Sequence, residues 1–314
     1  MYTGTQENPP WSPFTFYPHP FPRKKLTFTL FKYKIHVLLR KKSRIMEKKI
    51  WHEIEELNQE FTQLGISQAV DYEKYYLYSL ITHSTAIEGS TLTEIDTQLL
   101  FDEGITAKGK PLVDHLMNED LKKAYEFAQK EAKQKTAITP AFLQQLNASL
   151  MRTTGNVFST LGGSFDSSKG EFRLCGVTAG INGHSYMNYQ KVPQKVEELC
   201  TILQEKQKIA HTSQEQYELS FNAHLNLVTI HPWVDGNGRT ARLLMNYLQF
   251  YFDLFPVKIF KEDRGDYILA LQQAQNEENN LHFLNFMVSQ LKKSLLEEIE
   301  KYKYSHKKGF SFMF

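Results

Sequence analysis

The chain has 314 residues, 23% charged and 41% hydrophobic, with only two cysteines. That composition excludes collagenous, disulfide-stapled and wholly disordered chains, and suits a soluble protein with one large domain plus extensions, or two modest domains. The net charge of +2 is uninformative until it is divided along the chain.

Residues 1–45 carry nine Lys/Arg against Glu7 alone, a local charge of +8, and residues 301–314 carry four lysines and no acid. The body between them, 46–300, has 24 basic against 34 acidic side chains, or −10. No nucleic-acid partner is expected of such a body, because a phosphate backbone needs a concentrated basic surface. Anion binding must be local. Cys175 and Cys200 provide neither a disulfide framework nor metal-knuckle spacing, so a reducing cytoplasm is the expected compartment. The apolar stretch Leu26 to Leu39 is too short, and too interrupted by Lys32 and Lys34, to span a bilayer, and no membrane partner is expected.

In chain order, 1–45 holds six of the eleven prolines and no helical period. It reads as a non-native or disordered basic leader with Met46 as the physiological start; the rival reading is a basic, aromatic-rich arm for a membrane or nucleic acid. From Met46 on, apolar residues at 3–4 spacing predict helices over 48–64, 69–87, 92–101, 112–133, 140–152, 192–206, 215–230, 239–252, 264–275 and 281–302. Thr139-Pro140 is a helix start, a capping side chain before a first-turn proline. Between 155 and 189 the chain turns rich in Gly, Ser and Asn, and Phe172 to Ala179, flanked by Gly170 and Gly180, predicts a short strand or hairpin.

Gly104 to Pro111 comes within one residue of the phosphate-cradling loop of nucleoside triphosphatases. That loop needs a magnesium-binding hydroxyl where Pro111 stands, and a preceding strand where the pattern is helical. The segment reads as a turn between two helices.

The informative run is His231-Pro232-Trp233-Val234-Asp235-Gly236-Asn237-Gly238-Arg239-Thr240-Ala241-Arg242. Pro232 ends the incoming helix near His231. The Asp-Gly-Asn-Gly turn lets backbone approach a ligand, and an amphipathic helix follows with Leu243, Leu244, Tyr247 and Leu248 facing inward. Unpaired amides at a helix N-terminus make an anion site. Arg239 and Arg242 stand in that first turn, where positive charge opposes the helix dipole by roughly 0.3–1 kcal/mol each, so something negative should compensate. A polyphosphate fits, with Asp235 on a bridging Mg²⁺ and His231 as general base for an attacking hydroxyl. His224, seven residues before His231, reads as a buried hydrogen-bonded histidine rather than a metal ligand.

The twelve-residue run resembles the signature of the Fic family, with Trp233 in place of the usual Phe. The resemblance covers roughly 137–295 and implies an all-α bundle with one small β-hairpin, the flap, which Gly170 to Arg173 would open. It divides the chain into a helical region over 46–136, a catalytic core over 137–295, and a helix end with a basic tail over 296–314. It implies transfer of AMP from ATP, with Mg²⁺, to a Ser, Thr or Tyr hydroxyl of a target protein. By position His231 is the base and Asp235 the metal ligand. Asn237 and the backbone of Gly236 and Gly238 would form the phosphate cradle, Arg239 and Arg242 would hold the outer phosphates, and Thr240 and Ala241 would belong to the cofactor site. Val177, Thr178, Ala179 and Gly180 would cover the nucleotide, with Tyr267 and Gln275 near the adenosine.

Upstream, Ser84-Thr-Ala-Ile-Glu88-Gly89 resembles the family's inhibitory motif, although the same residues also read as a helix ending at a glycine cap. A carboxylate inserted beside the phosphate site would pair with Arg242 in a bidentate fork and withhold it from the γ-phosphate. Other readings stay open: removal of AMP with Glu88 orienting water, transfer of UMP, phosphate or phosphocholine, and a non-catalytic interaction scaffold. Automodification and a homodimer are also open.

Overall fold

The helical periodicity is realised as ten α-helices in a computed structural model that describes residues 48–179, 184–277 and 279–307. The leader 1–45, Gly180 and the tail from 308 onward lie outside the described residues. The chain divides into a unit up to Ile50 and a second, Trp51–Phe314, which holds all that follows.

After α1, helical over the described residues 48–63 and within the second unit from 51, come α2 (Tyr72–Ile87), α3 (Glu94–Glu103), α4 (Leu112–Lys133) and α5 (Pro140–Leu150). Local chemistry sets these bounds. Thr93 and Asp96 form a reciprocal capping box at the start of α3, and Thr139 accepts from the Phe142 amide with Pro140 at the first turn of α5, which satisfies donors that a helix start otherwise leaves open. The Gly104 to Pro111 segment is the expected turn: Gly104 closes α3 at φ 68° and Pro111 precedes α4.

Two small antiparallel hairpins follow, β1 (Val157–Thr160) with β2 (Gly163–Asp166), and β3 (Thr178–Ala179) with β4 (His184–Ser185). The second is the flap expected from the sequence, although its first strand is confined to two residues. The first hairpin is an addition to the expected single one. Its strands lack a clean apolar alternation, the signal that marks strands in a sequence, and Phe158 and Phe165 stack across it.

The remaining helices are α6 (Val192–Gln207), α7 (Ser213–Ile230), α8 (Asn237–Tyr251), α9 (Arg264–Asn276) and α10 (Leu281–Lys307). Helix α8 packs against α7, α4 and α5. Leu243, Leu244, Tyr247 and Leu248 are fully buried as expected, but so is nearly every other residue from Arg239 to Gln249. Helix α8 has the apolar stripe expected of it and is in addition a central helix, so that its polar face is satisfied inside. Asn246 accepts from the Tyr125 hydroxyl at 2.7 Å and donates to the Val257 carbonyl at 3.0 Å, and Gln249 accepts from the Val257 amide at 2.8 Å. The great majority of buried polar groups are paired in this way.

Helix α2 is seated by a ladder of polar contacts on α3, α4 and the segment after α8. Ser79 donates to Glu94 at 2.7 Å, Thr82 to Thr97 at 2.9 Å, Thr85 to Asn118 at 3.1 Å and Tyr76 to the Pro256 carbonyl at 2.7 Å. Geometry so fully specified fixes where the far end of α2, with Glu88, comes to lie.

Candidate active site

Helix α7 ends where Pro232 forbids its continuation. His231 takes the left-handed conformation there, φ 53° and ψ 63°, which costs a non-glycine residue of order 1–3 kcal/mol and needs external support. Arg173 supplies it. Its guanidinium is fully buried and donates to the carbonyls of His231 (2.8 Å), Cys175 (2.7 Å) and Met187 (2.7 Å). One cation thus fastens the backbone of His231 to both legs of the flap.

The His231 ring contacts the Val228 carbonyl through Nδ1 at 3.3 Å. In that arrangement Nδ1 carries the proton and Nε2 presents a lone pair, the tautomer that a base requires. Burial, with Arg173 nearby, outweighs the opposing influence of the Val228 carbonyl, Glu88 and Asp235 and lowers the pKa to about 4. The imidazole is neutral at pH 7.

Trp233 is wholly buried, and its indole N–H donates to the Gly170 carbonyl at 2.9 Å. The usual Phe could not make this bond, so the one departure from the family pattern ties the motif to the start of the flap segment. Trp233→Phe is expected to leave the buried carbonyl without its donor and to destabilise the fold by roughly 1–3 kcal/mol, measured as a lowered urea midpoint.

Gly236 opens α8 at φ 77°, with no side chain capping the helix. A Cβ there would meet Asn147, Leu150 and Met151 at 2.9 Å, so glycine is required by both torsion and space. Asn237 braces the turn from within, accepting from the Trp233 amide at 3.0 Å and donating to the Trp233 carbonyl at 2.8 Å. At Gly238 a Cβ would lie 2.5 Å from Glu88 Oε1 and 3.2 Å from an Arg242 nitrogen. The acidic side chain therefore lies against the opening turn of α8.

The two arginines differ in their surroundings. Arg239 is buried, and its Nε and Nη1 have no partner; Nη2 reaches only Asp235, at 3.4 Å, and Met151 Sδ, at 3.5 Å. A buried guanidinium with orphan donors beside uncapped amides is a site built for an anion. Arg242 is equally buried but fully engaged: Nε donates to Ser84 Oγ at 2.8 Å, and Nη2 to the Ser84 carbonyl at 2.9 Å and to Glu88 Oε1 at 2.6 Å. Burial raises the Glu88 pKa, but Arg242, then Arg239 and Arg264, overcome it and hold the carboxyl below its ordinary value. The expected bidentate fork is not formed. Ser84 takes the Nε edge, leaving Glu88 a single short contact.

Asp235 projects into solvent, 66% exposed. One accessible carboxylate beside an anion site fits Mg²⁺, which binds through one or two carboxylates and completes its shell with substrate phosphates and water. Among the described residues no cluster of three or more His, Cys, Asp or Glu is arranged to hold a metal ion alone.

Other expected contacts are elsewhere. Thr240 is buried, its hydroxyl bonded to the Gly236 carbonyl at 2.8 Å and its amide also on Gly236, and Ala241 is wholly buried. Both are enclosed in the core of α8. Tyr267 is buried, with its hydroxyl 2.9 Å from His224 Nε2 and 3.4 Å from an Arg242 nitrogen. His224 is thus the buried, hydrogen-bonded histidine expected. Gln275 donates to Thr229 at 3.2 Å on the outer side of α7. Val177 is half-buried and Thr178 exposed on the flap, and Gly180 lies outside the described residues. Sequence reasoning missed the role of Arg173 and missed Tyr186 altogether, whose ring stacks on His231. No spacing rule links residues 45 positions apart through a loop.

Fold and site together define an α-helical domain with a glycine-rich turn at the start of its central helix, a neutral histidine at the lip and a carboxylate across it. Residues 137–249 match the Fic/DOC family, and the chain carries a Fic domain. It is 32% identical over 229 residues to the protein adenylyltransferase Fic of Drosophila grimshawi, and 31% identical over 237 residues to that of Drosophila melanogaster. These alignments cover 71% and 74% of this chain, which spans 42% and 43% of the length of those curated relatives. In fold it is similar to a Fic-domain-containing signalling protein of Bacteroides thetaiotaomicron, with a TM-score of 0.69 and 23% identity over 80% of this chain and 97% of that one. Fic-1 of C. elegans follows at a TM-score of 0.65 and 19% identity, covering 89% and 77%.

Proposed function

We propose that the protein is an autoinhibited protein adenylyltransferase that transfers AMP from ATP to a hydroxyl side chain of a target protein. The observation that carries the reading is the pair of buried arginines: Arg239 has open donors beside uncapped helix amides, while Arg242 is held by Ser84 and Glu88. The names of the relatives support the same activity.

In this reading the amides of Asn237 and Gly238 and the guanidinium of Arg239 bind phosphates, and Asp235, whose Oδ1 also accepts from the Gly236 amide at 2.6 Å, would hold Mg²⁺, which would neutralise phosphate charge. The target hydroxyl attacks the α-phosphorus and gives its proton to His231 Nε2. A new P–O bond forms to the hydroxyl oxygen, the bond to pyrophosphate breaks, and pyrophosphate leaves. Catalysis of this type is mostly positioning and charge stabilisation. Glu88 acts as the brake by occupying Arg242, which would otherwise reach the γ-phosphate.

The test is a labelled-ATP assay of Glu88→Gly in lysate, with the modified band identified. Label from the α-phosphate but not the γ-phosphate supports AMP transfer. Competition by UTP, or label from the γ-phosphate, favours another transferred group. Release of AMP from a labelled target by the wild type would favour removal, with Glu88 orienting water. Absence of all labelling leaves a binding scaffold.

The pH profile follows from the lowered pKa of His231. Its basic form persists until the pH falls to about 4, so the acid limb of kcat/KM, which reports the free enzyme, should lie near pH 4 rather than near the ordinary value of about 6.5. Glu88 opposes this depression, so Glu88→Gly should move the limb lower. A limb in the ordinary histidine range would contradict this assignment of the base.

A further inference from the structure

The Tyr186 ring, on the residue after β4, lies 3.6 Å centroid to centroid from the His231 imidazole and 17° from parallel. We infer that Tyr186 is a positioning residue: its ring sets the plane of the His231 imidazole so that Nε2 faces the incoming hydroxyl. The inference rests on the reading of His231 as the base.

Rotation of an imidazole about its last torsion is a broad, soft coordinate. Among the described residues the ring makes one hydrogen bond, its 3.3 Å contact with the Val228 carbonyl, long for a bond of this type. A stacked ring supplies the missing restraint, because tilting the imidazole would drive it into the phenol. The support is itself fixed. The Tyr186 amide donates to the Val177 carbonyl at 3.2 Å across the flap. Arg173 binds the carbonyls of Cys175 and Met187 on the two legs while it holds the His231 carbonyl. The backbone of His231 and the ring stacked on it therefore hang from one buried cation. The charged groups around the imidazole, Arg173 from the flap segment, Glu88 from the end of α2 and Asp235 from the motif turn, act through their fields and set no plane.

The stacked pose also argues against Tyr186 as an acceptor. The Nε2 lone pair lies in the imidazole plane, and a phenol over the ring face cannot deliver its proton along that direction.

The test uses the full chain carrying Glu88→Gly, with Tyr186→Ala and Tyr186→Phe added separately. Tyr186→Ala should lower kcat roughly tenfold while KM for ATP stays within about twofold, since misaligning the base leaves phosphate binding intact. Tyr186→Phe keeps the ring and should recover the rate. By NMR, the His231 imidazole C–H signals, assigned by their loss in His231→Ala, should be shifted upfield by the stacked ring in the parent and in Tyr186→Phe, and should lose that shift in Tyr186→Ala. An alanine variant as fast as its parent overturns the inference, as does a faster one, which would make Tyr186 a gate, or a phenylalanine variant as slow as alanine. If the Glu88→Gly parent transfers no AMP, the reading of the base fails and this inference with it. The imidazole shift then separates lost chemistry from a contact that never forms.

Discussion

Glu88→Gly is expected to raise AMP transfer by roughly 10²-fold, the scale set by gaining one preorganised donor to a charged transition state. Four contacts hold Arg242 at present: two from Ser84, one from Glu88 and a longer one, 3.4 Å, to the Tyr267 hydroxyl. Removing the Glu88 carboxylate takes away the only charged partner, and the two bonds to Ser84 are neutral. An ATP γ-phosphate then offers Arg242 a stronger partner than Ser84 does, because hydrogen bonds between two ions are about twice as strong as neutral ones. Gly238 adds to the effect: with Glu88 Oε1 gone, the space over the opening turn of α8 becomes free for a phosphate oxygen. The comparison is initial rates of wild type and Glu88→Gly with labelled ATP, together with nucleotide affinity. Equal rates would remove Glu88 as a brake and leave its contact with Arg242 as a structural helix-end pair. Glu88→Gln makes a useful third arm: it keeps the shape but loses the charge, and should fall between the two.

His231→Ala, made in the Glu88→Gly background, is expected to lower the rate by roughly 10²–10⁴-fold, the usual contribution of a positioned base. ATP affinity should hardly change, because the anion site is built by α8 and its arginines rather than by His231. The left-handed torsion at 231 remains in the variant, held by the same Arg173 bond to the carbonyl, so the flap should stay in place. Measuring single-turnover transfer beside nucleotide binding separates the two effects. A variant that loses binding in step with rate would assign His231 to the nucleotide rather than to the hydroxyl.

Much of this was legible from the residues alone. The helix over 112–133 has the bounds that its periodicity predicts, because its apolar stripe and flanking proline are local signals. The twelve residues from His231 to Arg242 announced an anion site, since glycines in a tight turn and two arginines opposing a helix dipole have few other uses. Ser84 and Glu88 were visible as a short motif, and its resemblance to the family's inhibitory motif, rather than its spacing, implied a carboxylate beside Arg242.

Other features depend on contacts that no local pattern encodes. Ser84 rather than Glu88 takes the Nε edge of Arg242 because α2, seated through Ser79, Thr82 and Thr85, arrives at that angle. Thr240 and Ala241 sit inside the motif yet belong to the core, because α8 is enclosed by α4, α5 and α7 and not by one layer only. The contacts of Arg173 and Tyr186 with His231 join residues far apart along the chain. Periodicity and turn chemistry act over a few residues, so the sequence by itself determined the helices and the glycine-rich turn, and a motif resemblance pointed to Glu88. The relative placement of those parts, and with it the difference between a satisfied Arg242 and an open Arg239, was decided by packing between elements distant along the chain.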